Sequence, residues 1–127
     1  MPKKPQHSVR FLNLVDDAKT RISEISAEDV LRRFRKGEAM NLIDVREYQE
    51  YLLSHIGNAL HIGKGVIERD IEHNYRDLDA ELILYCGGGY RSALAADAIQ
   101  RMGYTSVRSM AGGFREWKNL GGPISLM

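Results

Sequence analysis

Apolar and polar residues along this chain follow patterns that predict helices and strands in alternation. Residues 9–22 carry apolar side chains at helical spacing, which predicts an N-terminal amphipathic helix with a structural role. The same reasoning predicts further helices at 26–37, 47–53, 66–75, 92–102 and 114–120, and strands at 41–45, 59–62, 82–85 and 106–110. Residues 22–25 are too few for periodicity to decide. Alternation of this kind indicates a parallel sheet covered by helices on both faces.

The length and composition are those of one compact domain. With 127 residues, of which 43% are hydrophobic, the chain can bury a core. We divide it into a leader with the first helix, residues 1–21, and a main domain, residues 22–127, and we expect residues 1–7 to be mobile and without function. A net charge of +1 favours neither nucleic acid nor an anionic membrane as a partner. Because the first residues lack the apolar stretch of a signal peptide and no apolar run approaches about 20 residues, we expect a soluble, cytoplasmic protein.

The turn between the strand at 82–85 and the next helix carries the most chemistry. The chain's only cysteine, Cys86, ends the strand, and three consecutive glycines follow it. Ligands of open α/β sheets bind beyond the carboxyl ends of the strands. A glycine turn above a helix N-terminus can direct several N–H groups toward an anion. With Arg91 close by, Cys86 is a candidate reactive thiolate.

A lone cysteine is more often a small buried residue than a nucleophile. Here the context favours the nucleophile, because a structural cysteine does not need three glycines, an arginine and a helix start within the next six residues. Glycines raise the entropy cost of ordering a turn, so a role in binding through the backbone explains them better than flexibility does. A single cysteine excludes an internal disulfide, and any redox or transfer cycle must use an external thiol.

Four motifs follow one another in an order that a known family shares. They are Asp44-Val45-Arg46-Glu47, His55-Ile56 with Ala59, Tyr85-Cys86 with its glycine loop, and Met110-Ala111-Gly112-Gly113 with Trp117. In this order, over about residues 22–124, the chain resembles the rhodanese domain, a single-domain sulfurtransferase. The resemblance implies a three-layer α/β domain with a five-stranded, largely parallel central sheet. Ser54 and Asn58 depart from the family, which usually has glycine there, and we expect a shifted turn.

The resemblance also implies a function and a set of site residues. Cys86 would open a six-residue loop, ending at Arg91, whose backbone N–H groups hold a cysteine persulfide. The implied substrate-binding residues are Gly87, Gly88, Gly89, Tyr90 and Arg91. Sulfur would pass from thiosulfate or a persulfide donor to a thiol or cyanide, so the partners are a small anionic donor and a thiol acceptor, with no cofactor. Whether Arg91 contacts the substrate or braces the loop is left open, as are the physiological donor and acceptor and the oligomeric state.

Two other functions remain as alternatives. The first is phosphatase or arsenate reductase chemistry on the same fold. The related phosphatases carry a loop one residue longer, whereas Cys86 and Arg91 enclose only four residues, and the chain has no resolving cysteine. The second is a non-catalytic module that binds a partner with the same loop, and the presence of Cys86 argues against it.

Polar residues outside the loop are given supporting or structural roles. By the resemblance, Asp44 and Arg46 form an internal network that braces the strand end beside the loop. His55 and His61 have a spacing found in zinc sites, but no second cysteine or paired motif accompanies them. We therefore predict no metal site.

Overall fold

The protein folds around a five-stranded sheet, and its computed structural model describes residues 7–126. The strands are β1 (Ser23–Ser26), β2 (Leu42–Asp44), β3 (Leu60–His61), β4 (Leu82–Tyr85) and β5 (Val107–Ala111). They lie in the order β1-β5-β4-β2-β3, and every pair of neighbouring strands runs parallel. The predicted five-stranded, largely parallel sheet is confirmed.

Six α-helices connect and cover these strands in the described part of the chain. They are α1 (Val9–Lys19), α2 (Ala27–Arg35), α3 (Tyr48–Leu53), α4 (Ile67–Asn74), α5 (Tyr90–Gln100) and α6 (Gly113–Asn119), with a short 3-10 turn at Lys64–Val66. Between residues 7 and 126, no helix combines the length and the apolar character that crossing a bilayer would require.

Strand β4 lies at the centre of the molecule and separates two hydrophobic cores. Leu82 and Leu84 pack on one face with α4 and α5, whereas Ile83 and Tyr85 pack on the other with α2 and α6. Successive residues of a strand point to opposite faces. Cys86, the next residue, therefore lies on the face that α5 covers.

Strand β1 is the element that the apolar pattern left undecided. Of its four residues only Ile25 is buried, because β1 pairs with β5 alone at the edge of the sheet. One buried side chain carries too little periodicity to distinguish a strand from a loop. Ser26 ends the strand and is the N-cap of α2, where its hydroxyl accepts a hydrogen bond from the Asp29 N–H at 3.0 Å.

Helix α1 confirms the predicted amphipathic helix and packs along α5. Val15 and Ala18 are buried in this contact. After the helix, the guanidinium of Arg21 donates two hydrogen bonds, of 3.0 and 2.8 Å, to the carboxylate of Asp97 on α5. These contacts fix α1 beside the helix that follows the cysteine loop. The mobile leader predicted at residues 1–7 lies outside the described residues except for His7, and the division at residue 21 stays a prediction.

Candidate active site

The sulfur of Cys86 lies inside the glycine loop and accepts hydrogen bonds from its backbone. The N–H groups of Gly89 and Ser92 donate to Sγ at 3.2 and 3.3 Å. Gly89 has a φ of +95°, a conformation that favours glycine, and it stands directly before α5. Only 1% of Cys86 is exposed. The loop thus surrounds the sulfur with donors at a helix N-terminus, an arrangement that stabilises negative charge on Sγ.

The first turn of α6 holds the loop in this orientation. The Phe114 N–H donates to the carbonyl of Cys86 at 2.8 Å, and the Arg115 N–H donates to the carbonyl of Gly87 at 3.0 Å. Gly113, which precedes them, has a φ of +58°, and a Cβ on it would lie 2.6 Å from the Cys86 carbonyl oxygen. The second glycine of the Met110–Gly113 motif is therefore required for α6 to approach the loop. Because α6 binds these two carbonyls, they are turned away from the sulfur.

Several other N–H groups of the loop have no acceptor among the described residues. Within residues 7–126, the N–H groups of Gly87, Gly88, Tyr90 and Arg91 form no backbone hydrogen bond and no hydrogen bond to a side chain. The first N–H groups of any helix lack an intrahelical partner. The loop therefore holds Sγ with two N–H donors and has four further N–H groups without an acceptor among the described residues.

Arg91 is bound to a carboxylate that the sequence analysis did not identify. Its Nη1 and Nη2 donate to the two carboxylate oxygens of Glu50 on α3, at 2.8 and 3.2 Å. These bonds lower the pKa of Glu50 below its usual value. Glu50 also accepts the N–H of Glu47 at 2.9 Å, in the capping box of α3. The sequence shows the capping spacing, but not that Arg91, 41 residues away, shares the same carboxylate.

Asp44 and Arg46 form a buried ion pair below the loop. Arg46 Nη2 donates to Asp44 at 2.7 Å and also to the Ser54 carbonyl at 2.7 Å. Asp44 is fully buried and Arg46 is 6% exposed. The guanidinium lies 4.4 Å from the ring centroid of Phe114, on the helix that holds the loop. The pair thus connects the end of β2 to the support of the loop and does not line the space above Cys86.

A cavity of about 230 Å³ opens above Cys86. Five of the predicted site residues border it, namely Cys86, Gly87, Gly88, Tyr90 and Arg91. Gly89 does not border the cavity, and its N–H binds the sulfur. Three residues that the sequence analysis did not assign to the site also line the cavity, namely His7, Phe11 and Arg115. The cavity is thus bordered by Phe11 on α1, a helix expected to have a structural role, and by His7 of the predicted leader.

Comparison with known proteins defines the family. Residues 26–120 match the family model of the rhodanese-like domain. The chain belongs to this family. It is 36% identical over 97 residues to YrkF of Bacillus subtilis, named as a candidate sulfur carrier protein, and the match covers 76% of this chain and 51% of that protein. The chain therefore spans about half the length of YrkF.

The rhodanese-like domain is also similar to one further relative and to one solved structure. It is 35% identical over 77 residues to the thiosulfate sulfurtransferase GlpE of Ectopseudomonas mendocina, covering 61% of this chain and 69% of that protein. It also resembles a solved structure from Rhodopseudomonas palustris, described as a protein of unknown function and possible tyrosine phosphatase. The TM-score is 0.79 at 27% identity, covering 98% of this chain and 99% of that one.

A pair of buried hydroxyls extends from the cysteine of this rhodanese-like domain into the sheet. The Cys86 thiol lies 3.5 Å from the Ser92 Oγ, to which it donates, and the Ser92 Oγ lies 2.8 Å from the Ser109 Oγ on β5. Both serines are fully buried. When Cys86 ionises, the Ser92 hydroxyl can reverse and donate to the sulfur while the Ser109 hydroxyl donates to Ser92. This reversal provides the thiolate with a third donor.

The two histidines considered as metal ligands bond to the backbone. His55 Nδ1 lies 2.9 Å from the Tyr51 carbonyl oxygen, and His61 Nε2 lies 2.7 Å from that of Arg46. The His55 ring stacks on the Tyr51 ring with centroids 3.8 Å apart. Among the residues described, no three side chains of the ligand types His, Cys, Asp and Glu are grouped to hold a metal ion.

Proposed function

We propose that this rhodanese-like domain is a sulfurtransferase that carries sulfane sulfur as a persulfide of Cys86. The observation that carries the proposal is the position of Sγ, which accepts two backbone N–H bonds at the base of the cavity. Nucleophilic cysteines act as thiolates and are found near helix N-termini and basic residues. The names of YrkF and GlpE, a candidate sulfur carrier and a thiosulfate sulfurtransferase, support the same chemistry.

The reaction would proceed in two displacements at sulfur. With thiosulfate, the Cys86 thiolate attacks the outer sulfur, its S–SO₃ bond breaks, and sulfite leaves with the electron pair, which gives Cys86–S–S⁻. With an organic persulfide R–S–SH, the same attack releases R–S⁻ and gives Cys86–S–SH. In the second step an acceptor attacks the outer sulfur, and the electron pair of the S–S bond returns to Cys86 as the thiolate. Cyanide leaves as thiocyanate and a thiol RSH leaves as R–S–SH.

The loop would stabilise charge in both steps. The N–H groups of Gly89 and Ser92 bind the Cys86 sulfur, which is negative both as nucleophile and as leaving group. The unpaired N–H groups of the loop are donors for the outer sulfur of the perthiolate. Arg91 adds positive charge beside the loop, and its two bonds to Glu50 support a bracing role in the absence of substrate.

Phosphatase chemistry fits this loop less well. Cys86 and Arg91 enclose four residues, and α6 fixes the carbonyls of Cys86 and Gly87. The loop therefore cannot widen at its start without breaking two hydrogen bonds. One extra sulfur atom on Sγ needs less space than a tetrahedral phosphate that must be held for in-line attack. A non-catalytic binding role would not need the donors that converge on Sγ.

The test compares wild type with Cys86→Ser. Wild type should produce thiocyanate from cyanide with thiosulfate or with a glutathione persulfide donor, and Cys86→Ser should not, while its circular dichroism spectrum stays unchanged. Both proteins should fail to hydrolyse an aryl phosphate. Turnover that persists in folded Cys86→Ser, or no transfer by wild type from either donor, would refute the sulfurtransferase. Aryl phosphate hydrolysis that depends on Cys86 would favour the phosphatase.

A further inference from the structure

One side of the cavity above Cys86 is aromatic and is contributed largely by the N-terminal segment. The rings of His7 and Phe11 have centroids 5.2 Å apart, and the Tyr90 ring lies 4.5 Å from His7 and 6.2 Å from Phe11. All three residues line the cavity. Thiosulfate and cyanide offer no hydrocarbon surface to such a wall. A ligand with a short carbon chain would bury apolar area against it.

The cavity also contains a cation that pairs with no carboxylate of the described residues. Arg115, in the first turn of α6, lines the cavity, and its Nη1 lies 3.8 Å from the position that a Cβ on Gly88 would take. Within the described range of the chain, it forms no ion pair. Arg91, the other arginine of the cavity, is bound to Glu50. Arg115 is therefore the arginine available to an incoming anion, and its guanidinium matches a carboxylate in shape.

The size of the cavity limits the ligand. Its volume of about 230 Å³ lies below the roughly 300–1,000 Å³ of pockets that bind drug-sized molecules. It suits a molecule with a few carbon atoms beyond its sulfur.

We propose that the sulfur acceptor is a small aliphatic thiol that carries a carboxylate. Its carbon chain packs on Phe11 and Tyr90, its carboxylate binds Arg115, and its thiol reaches the outer sulfur on Cys86. The proposal rests on the sulfurtransferase function proposed above. In the transfer step RSH and Cys86–S–S⁻ give R–S–SH and the Cys86 thiolate: one S–S bond forms, one breaks, and the thiol proton stays on the product persulfide.

The test starts from the 127-residue chain loaded with persulfide and follows a single turnover. Loss of the added sulfur is measured by rapid quench and intact mass with 3-mercaptopropionate, 2-mercaptoethanol and cyanide. 3-Mercaptopropionate carries a carboxylate and 2-mercaptoethanol does not. The ratio of their two rate constants is compared between protein variants, because the intrinsic reactivity of each thiol is the same for every variant and cancels in that comparison. Arg115→Gln should lower this ratio by about twofold to fivefold, the range of an exposed ion pair. Lys118→Gln, which removes the same charge from α6 outside the cavity, should keep the wild-type ratio.

A second comparison tests the aromatic wall. Phe11→Ala should lower the ratio of the thiol rate constants to that of cyanide, because cyanide gains nothing from the ring. Leu14→Ala, on the same helix and 61% exposed, is the matched control and should leave this ratio unchanged.

The outcomes separate the two proposals. If Cys86 cannot be loaded with sulfur by any donor, the sulfurtransferase function itself fails. If Cys86 loads and transfers but Arg115→Gln keeps the wild-type ratio, or Lys118→Gln lowers it equally, the carboxylate site is wrong and the function stands. If Phe11→Ala and Leu14→Ala behave alike, the aromatic wall does not bind the acceptor.

Discussion

Replacing Gly113 with alanine tests whether α6 holds the cysteine loop. The new Cβ would lie 2.6 Å from the Cys86 carbonyl oxygen and 2.7 Å from the Gly87 carbonyl carbon. The first distance is about 0.8 Å shorter than the 3.4 Å at which ordinary contact begins. Both neighbours are backbone atoms and cannot rotate away. Gly113→Ala must therefore separate α6 from the loop.

The energetic cost has two parts. A left-handed conformation costs alanine about 1–2 kcal/mol. Separation breaks the bonds from Phe114 N–H to Cys86 and from Arg115 N–H to Gly87, each worth about 0.5–1.5 kcal/mol. We expect Gly113→Ala to lower the free energy of unfolding by roughly 2–5 kcal/mol. Displacing the donors around Sγ by this distance should slow sulfur transfer by about 10²-fold.

Urea unfolding measures the stability, and the rate of Cys86 alkylation by iodoacetamide measures the state of the loop independently of any assumed substrate. The matched control is Gly121→Ala, because Gly121 has a φ of +79° but nothing within 4 Å of its Cβ position. Gly121→Ala should lower the free energy of unfolding only by the cost of the left-handed conformation, and its rates of alkylation and sulfur transfer should equal those of wild type. A folded Gly113→Ala protein with the alkylation and transfer rates of Gly121→Ala would refute the bracing role of α6.

Three further predictions concern the groups around the loop. Arg91 lowers the pKa of Glu50, so the stability from this pair is present above the ordinary carboxyl value of 4.5 and is lost as the pH falls through the lowered value. Glu50→Gln should therefore cost about 0.5–1 kcal/mol in urea unfolding at pH 7, since the pair is partly exposed, and progressively less as the pH falls below 4.5. A cost that does not change with pH would contradict this. Arg46→Met leaves Asp44 buried without its partner and should lower the free energy of unfolding in urea by about 3–5 kcal/mol. A loss below about 1 kcal/mol would show that the ion pair does not support the loop. Ser92→Ala removes the hydroxyl beside Sγ but keeps the backbone N–H that binds the sulfur. It should slow single-turnover sulfur transfer by roughly threefold to tenfold, which is the rate equivalent of one neutral hydrogen bond. An unchanged rate would exclude the hydroxyl as a donor to the thiolate.

The main features of the fold could be predicted from the sequence because they are local. The fully buried run of β4 and the helical spacing of α1 each lie within one short segment, and both are found where the pattern predicts them. Strand β1 was undecided because it buries one side chain at the sheet edge. The parallel direction of the strands could be predicted from their alternation with helices, whereas the order β1-β5-β4-β2-β3 could not, since periodicity does not specify which strands pair.

The site was predictable only where it is continuous in sequence. Cys86 and its glycines could be found because the donors and the sulfur lie within seven residues. Glu50, Phe11 and Arg115 come to the cavity or its loop from α3, α1 and α6, and the packing of these helices determines their positions. An amphipathic pattern indicates that a helix packs, but not which neighbour it packs against. For Phe11 the pattern correctly predicted that the residue lies on a helix, but not that its side chain lies beside the cavity.

Intact-mass spectrometry shows directly whether Cys86 carries the transferred sulfur. Wild-type protein is mixed with thiosulfate or a glutathione persulfide donor, freed of small molecules, and weighed before and after a thiol acceptor is added. We expect a gain of one sulfur atom per chain, mapped to the peptide that contains Cys86, lost when the acceptor is added, and absent in Cys86→Ser. No added sulfur from either donor, or an equal gain in Cys86→Ser, would contradict it.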